Sequence, residues 1–373
     1  MSTEAVRPSS LPPVPRPTGR PLVLIMVSLV LALVPLQLDA LVTATAVPTI
    51  VGELGGFSRI AWVATAYLLT FAIGTLLSGR IGDMLGRKPL YLAAASVFLA
   101  GSAWSGLSTT MAEFIVARAL QGLGAGMMAT TILAIVADVV PPESRARYQG
   151  LLAAVMPVSM IAGPALGGVI TDHLGWRWIF LLNLPLIAVS IGVGAFVLRL
   201  PKRPSAGGLD LAGAVLSTIG AAGLVLAATW GGQYGWGSAR VLATAVIGVG
   251  AFVALAAVER RTVHPVLPPG LFRDRTVLMC LLIMFCGAGA VMMAATNFVP
   301  VFQQLVQHLS ASSSGLLLLP LLLPAIVMAI ASGQFLSRRP WYRAVLIAGA
   351  SLLALGCVLL ATMTVTTPVW LAC

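Results

Sequence analysis

The sequence predicts an all-α polytopic membrane protein, a chain that crosses the bilayer as a series of helices. Three observations predict this. Of 373 residues, 59% are hydrophobic and only 9% are charged, too few charges to cover a water-soluble domain of this length. Apolar stretches of about 20 residues or more, the length that spans a bilayer as a helix, succeed one another along the chain. The basic residues collect in the short segments between these stretches, and in alternate segments rather than in all of them.

Residues 1–20 are rich in proline, carry Arg7, Arg16 and Arg20, and show no apolar periodicity, so a disordered cytoplasmic tail is expected there. The first apolar run extends from Pro21 to Val47. It is longer than the apolar region of a leader peptide and carries an acid near its far end, so a spanning helix is expected rather than a cleaved leader. Further spans are predicted over Ile60–Gly79, Pro89–Leu107, Ala112–Val139, Ala146–Ile170 and Trp178–Leu198. They continue over Leu211–Thr229, Val241–Val258, Val277–Leu305, Gly315–Leu336 and Ala344–Val365. The expectation is thus eleven full transmembrane helices, with the start of a twelfth at Val369.

With the amino end inside, 18 of the 22 basic residues fall in cytoplasmic segments. Arg59, Arg177 and Arg240 fall outside, and Arg118 falls within a helix. This asymmetry predicts a multi-pass protein of the cell (inner) membrane with a cytoplasmic N-terminus. All tryptophans except Trp341 lie near predicted outer ends, where an interfacial belt would place them. The formal charge of +11 is therefore read as an orientation signal, and no nucleic-acid partner is expected.

Two polar, charged segments suggest boundaries, one from Leu200 to Gly208 and one from Glu259 to Arg275. The expected organisation is a six-helix bundle over 21–199, a linker with two extra helices over 200–260, and a second, incomplete bundle over 261–373. A glycine-rich basic segment after the second helix, opening at Gly79, is weakly echoed after the tenth by Gly333 to Arg339, and repeated halves are usual in secondary transporters.

The segment "SGRIGDMLGRKPL", Ser78 to Leu90, concentrates charge in an otherwise apolar region. A tight cytoplasmic turn explains it: Gly79, Gly82 and Gly86 would allow close approach and positive φ, Asp83 could satisfy amides or pair with a base, and Arg87 and Lys88 would hold the segment inside. The spacing of Gly79, Asp83, Gly86, Arg87 and Lys88 resembles the helix 2–3 signature of the major facilitator superfamily. The resemblance implies a conformational latch, with Asp138 at the end of helix 4 as its partner. "ARALQGLGAG", with Arg118, Gln121, Gly122 and Gly124, is similar to the superfamily's helix 4 motif. "AGPALGGVI" is similar to the antiporter signature of helix 5, which involves Ser159, Gly163, Pro164, Gly167 and Gly168.

"LDALVTATAVP" and "WRWIFLLNLP" resemble the fourteen-helix drug:proton antiporter family, with Leu41 and Ala44 in place of its usual threonine and asparagine. That resemblance implies the major facilitator fold, three helices more than this chain holds, and proton-coupled efflux of small lipophilic or cationic compounds. The partners it implies are protons, a small-molecule substrate and the lipid bilayer, for a protein working as a monomer and not as an enzyme.

Asp39 precedes Pro48 by nine residues, which puts it about 13 Å inside the expected end of helix 1 at a rise of 1.5 Å per residue. A carboxylate at such depth costs on the order of 3 kcal/mol on insertion scales, and an unpaired one would take up a proton. Arg118 lies at a similar depth on helix 4, so the two are expected to couple, either for proton exchange or as a structural ion pair. Thr43, Gln121, Asn297 and Gln303 are candidates to line a cavity. Ser159, Gly163 and Gly167 recur every four residues and form one small-residue stripe, with Pro157 and Pro164 nearby to interrupt the backbone ladder. No phosphate loop, H-E-x-x-H or G-x-S-x-G motif occurs, and Cys280, Cys286, Cys357 and Cys373 form no C-x-x-C or Cys/His cluster. Neither cofactor nor metal is expected.

Overall fold

The computed structural model describes residues 19–56, 59–198, 200, 211–260, 274–285, 287, 319–339 and 341–361. Every described regular element is helical, and no strand occurs among the described residues. The helices are α1 (Arg20–Leu54), α2 (Ile60–Leu85), α3 (Arg87–Leu107), α4 (Met111–Val139), α5 (Pro142–Ala153), α6 (Val155–His173), α7 (Arg177–Leu181) and α8 (Asn183–Val197). They continue as α9 (Leu211–Tyr234), α10 (Ala239–Glu259), α11 (Arg275–Ile283), α12 (Leu319–Arg338) and α13 (Tyr342–Ala361).

Seven helices among the described residues are long and apolar enough to cross a membrane, and they coincide with the first four and the sixth to eighth expected spans. The fifth expected span is α5 followed by α6, the tenth is α12 and the eleventh is α13. The ninth begins in α11, and most of it lies outside the described residues, as do Asn297 and Gln303.

Three boundaries differ from expectation, each for a physical reason. The α5–α6 junction falls at Ala154, because Pro157 has no N–H to donate to the Ala153 carbonyl one turn earlier. The same logic places the α7–α8 junction at Leu182, because Pro185, three residues later, has no N–H to donate to the Leu181 carbonyl. The turn between α2 and α3 is a single residue, Gly86, at φ 92°, a conformation that favours glycine. Gly79 and Gly82 are helical rather than part of a loop, and a Cβ on Gly79 would meet nothing, so neither the positive φ nor the close approach expected of Gly79 occurs. Asp83 accordingly sits in the last turn of α2.

α4 is wedged between α2 and α3. Its glycines make this possible on opposite faces: a Cβ on Gly122 would lie 2.3 Å from the Tyr67 carbonyl oxygen of α2, and one on Gly124 would lie 2.4 Å from the Phe98 amide nitrogen of α3. Small residues at such positions let helix backbones approach in lipid, where dispersion contacts replace the hydrophobic effect as the packing force. α1 packs along α6 and α8, and α9 pairs with α10 while touching α2. Large side chains such as Phe196 and Val246 point outward at 84% and 71% exposure, as expected of a lipid-facing surface.

Two layers of buried apolar residues form among the described residues. One gathers Leu29, Leu36, Tyr91, Phe98, Met128, Ile132 and neighbours. The other gathers Val42, Ile50, Phe114, Trp176, Ile179 and Phe180. Asp39 falls between Leu36 and Val42 in α1, and Arg118 falls between Phe114 and Met128 in α4, so both charges lie where the two layers meet.

Candidate functional site

Asp39 and Arg118 are each 2% exposed, and Gln121 is fully buried. Arg118 Nη1–H donates to Asp39 Oδ2 at 2.5 Å and to Gln121 Oε1 at 2.7 Å, while Gln121 Nε2–H donates to Asp39 Oδ1 at 2.8 Å. Arg118 and Gln121 are three residues apart on α4, which puts both on the face turned towards Asp39. A closed triangle of charge-assisted bonds results. The expected coupling of Asp39 with Arg118 is therefore direct, and Asp39 is a paired carboxylate, not the unpaired one considered from sequence. Gln121, a candidate cavity-lining residue from sequence, bridges the pair.

The α1 helix continues through Pro48 to Leu54, so Asp39 stands about 22 Å from its end at 1.5 Å per residue, deeper than expected. The Arg118 guanidinium carbon lies 4.3 Å from the centroid of the Tyr67 ring, whose π face shields the charge from the apolar surroundings. Two polar atoms at the site are buried without a hydrogen-bond partner among the described residues: Arg118 Nε and Thr43 Oγ1. Thr43, a cavity candidate from sequence, is one helical turn beyond Asp39.

Two residues that carried no role in the sequence complete the network. Ser102 Oγ of α3 accepts from Gln121 Nε2 at 3.3 Å and from Asn183 Nδ2 at 3.1 Å, and donates to the Phe180 carbonyl at 2.9 Å. The signal available beforehand was thin: Asn183 is a lone amide in an apolar run, and Ser102 is one small residue among many.

The segment around Gly86 forms a second cluster. Arg87 Nη2 lies 3.0 Å from Asp83 Oδ1, one helical turn away, and Arg87 Nε lies 3.9 Å from Asp138 Oδ2 at the end of α4. Lys88 Nζ donates to the Ala195 carbonyl at 2.5 Å, in the last turn of α8, where a cation also meets the negative end of the helix dipole. The expected latch residues Asp83, Arg87, Lys88 and Asp138 thus converge on the ends of α2, α3, α4 and α8.

Along α6, Ser159, Gly163 and Gly167 are all buried, as a single stripe requires. A Cβ on Gly163 would lie 2.7 Å from the Leu41 Cβ of α1, so Leu41 fills the groove that the stripe leaves. Gly168 lies off this stripe and a Cβ there would meet nothing; Pro164 occupies the same helix. No group of acidic, histidine or cysteine side chains that could hold a metal occurs among the described residues.

The family model described as Major Facilitator Superfamily matches residues 27–373. The chain belongs to that superfamily. Among relatives of this major facilitator protein is an uncharacterized MFS-type transporter of Mycobacterium tuberculosis, 37% identical over 331 residues, a match covering 88% of this chain and 48% of the relative. The multidrug transporter protein MdtP of Bacillus subtilis is 35% identical over 348 residues, covering 91% and 63%. Multidrug resistance protein 3 of the same organism is 31% identical over 352 residues, covering 93% and 68%. The chain thus spans about half to two thirds of the length of these relatives. The solved structure of the proton:xylose symporter XylE superposes with a TM-score of 0.54 at 15% identity, over 84% of this chain and 69% of that one. At that identity the likeness speaks for the fold, which is the major facilitator fold.

Proposed function

We propose that this protein is a proton-coupled exporter of small lipophilic or cationic compounds, of the fourteen-helix drug:proton antiporter family. The observation that carries the reading is the Asp39–Arg118–Gln121 triangle, fully buried where two apolar layers meet. Ionisable groups at such depth are costly to insert and are retained chiefly where protons, ions or substrates pass. Asp39 alternately holds a proton, a substrate cation or the Arg118 guanidinium. The names of the two Bacillus subtilis relatives support multidrug efflux, and the helix 1 and helix 5 motifs support antiport over symport. The chain is read as a monomer in the cytoplasmic membrane with its amino end inside. A bundle over 21–199 is followed by two inserted helices to 260 and a second bundle from 261. The mutual pairing of α9 and α10 agrees with an inserted hairpin.

The test uses the full-length protein in everted membrane vesicles. A pH gradient, acid inside, is expected to drive accumulation of a lipophilic cation such as ethidium, and a protonophore is expected to collapse it. Accumulation that ignores the gradient and merely equilibrates the dye would favour a uniporter and overturn the antiport reading.

The Asp83 cluster serves as the latch between transport states. Asp83 and Arg87 side chains are 54% and 28% exposed, so their pair contributes only about 0.3–0.5 kcal/mol, the range for a surface pair one turn apart. Arg87 also faces Asp138. Asp83→Asn is therefore expected to slow turnover about two-fold, and Arg87→Ala more, both with little change in KM, because the cavity is untouched. Initial-rate kinetics on both variants check this; a raised KM with unchanged turnover would remove the latch role.

A further inference from the structure

Among the described residues, α5 and α12 meet with bare backbone. A Cβ on Gly150 of α5 would lie 2.5 Å from the Ala329 carbonyl oxygen of α12, and one on Gly333 would lie 2.4 Å from the Ala146 carbonyl oxygen. At the end of this seam lies a cleft of about 160 Å³ lined by Arg147 of α5 and by Gln334, Ser337 and Arg338 of α12. The close approach brings two guanidinium groups, one from each bundle, to a single cleft, where like charges repel.

Neither Arg147 nor Arg338 has an ion-pair partner among the described residues, and Glu143, one turn before Arg147, is not paired with it. The Ser337 hydroxyl donates to the Gln334 carbonyl at 2.7 Å, so the donors left for a ligand are the two guanidinium groups and the Gln334 amide. Fork-shaped donors from two sides match the oxygens of a phosphate.

The surroundings point to a lipid. Phe335 and Trp341, 42% and 57% exposed, meet edge to face at 6.5 Å, and Arg339 lies 5.7 Å from the Trp341 ring centre. Exposed aromatic residues beside arginine at a helix end mark the headgroup level of a bilayer. Basic pockets between helices on the cytoplasmic side suit acidic headgroups.

We propose that this cleft binds the phosphate of an anionic phospholipid headgroup, which bridges Arg147 and Arg338 and holds the seam between the bundles closed. The proposal rests on the two-bundle organisation and orientation given above. Its test reads lipid retention without reference to transport or to sidedness, and so can fail independently of them.

The full-length protein in a neutral detergent is titrated with phosphatidylglycerol, phosphatidylcholine or inorganic phosphate, and bound lipid is counted by native mass spectrometry. One phosphatidylglycerol is expected to be retained at concentrations where phosphatidylcholine is not, and millimolar phosphate is expected not to displace it. Arg147→Gln and Arg338→Gln are each expected to weaken retention on the order of tenfold, as loss of a charge-assisted bond does. The double variant should be less than additive, because both arginines hold one ligand. Arg338→Lys keeps the charge without the fork and should fall between, which covers the case in which a glutamine variant folds poorly. Equal retention by wild type and both glutamine variants would overturn the site. So would an equal loss in Arg343→Gln, an arginine outside the cleft, since bulk charge would then explain the effect. Displacement by phosphate at matched concentration would overturn the lipid as the source of the anion.

Discussion

Asp39→Asn is expected to reduce proton-driven efflux to the vesicle background. An asparagine keeps the side-chain shape but carries no titratable group, so no proton can be exchanged at this position. The geometry adds a second consequence. Asp39 is the carboxylate that neutralises Arg118, which is 2% exposed and has no other acid against it in the triangle. Removing one partner of a buried pair leaves the other as an uncompensated charge, at a cost of about 3–5 kcal/mol.

The single variant is therefore expected to lose both transport and thermal stability, and a loss of transport alone would be ambiguous. Asp39→Asn combined with Arg118→Gln separates the two effects. It removes both charges, and the remaining amides can still bond to Gln121, so much of the stability should return while efflux stays at background. Expression, melting temperature and gradient-driven uptake, measured on both variants, decide the matter. Efflux restored in the stable double variant would make the pair a structural tie that fixes helix register.

Most of the described spans and the pairing of the two charges were legible in the sequence for simple reasons. Long apolar runs are one-dimensional signals, and a charge within such a run stands out as one that needs a partner. Asp39 and Arg118 could be paired although they are 79 positions apart, but the depth of Asp39 was underestimated because α1 runs on past Pro48 to Leu54. What counting could not supply was the rest of the network. Ser102 and Asn183 meet through a bond across 81 positions, and a single polar side chain in an apolar helix has no periodicity that reveals its partner. The turn at Gly86 was misread for a related reason. Three glycines in eight residues suggest a loop, yet Gly79 and Gly82 serve as small helical positions, and only the third leaves the helix. The kinks at Ala154 and Leu182 follow from Pro157 and Pro185, but composition does not show that a proline acts one turn upstream of itself. The seam at Gly150 and Gly333 joins α5 to α12 across 183 positions and is a property of the fold alone.

Gly126→Ala is expected to destabilise the packing of α2 on α4 even though alanine is the better helix former. A Cβ at this position would lie 2.0 Å from the Phe71 carbonyl oxygen and 2.9 Å from the Thr75 amide nitrogen of α2, and these are backbone atoms that no rotamer change can move. The substitution can be accommodated only if α2 and α4 separate. Overpacking of this kind costs about 1–3 kcal/mol, which outweighs the gain of up to about 1 kcal/mol in helix propensity. The separation also reaches the charged site, because Tyr67, one turn before Phe71, carries the ring lying 4.3 Å from the Arg118 guanidinium carbon. A larger side chain, as in Gly126→Leu, should prevent stable assembly altogether. Gly192→Ala is the matched control: it lies in α8, where a Cβ would meet nothing within 4 Å, so alanine should be neutral or mildly stabilising. Melting temperatures of the detergent-solubilised variants compare the two directly. Equal stability of Gly126→Ala and Gly192→Ala would mean that α2 and α4 do not approach this closely, and the placement of Tyr67 against Arg118 would fall with it.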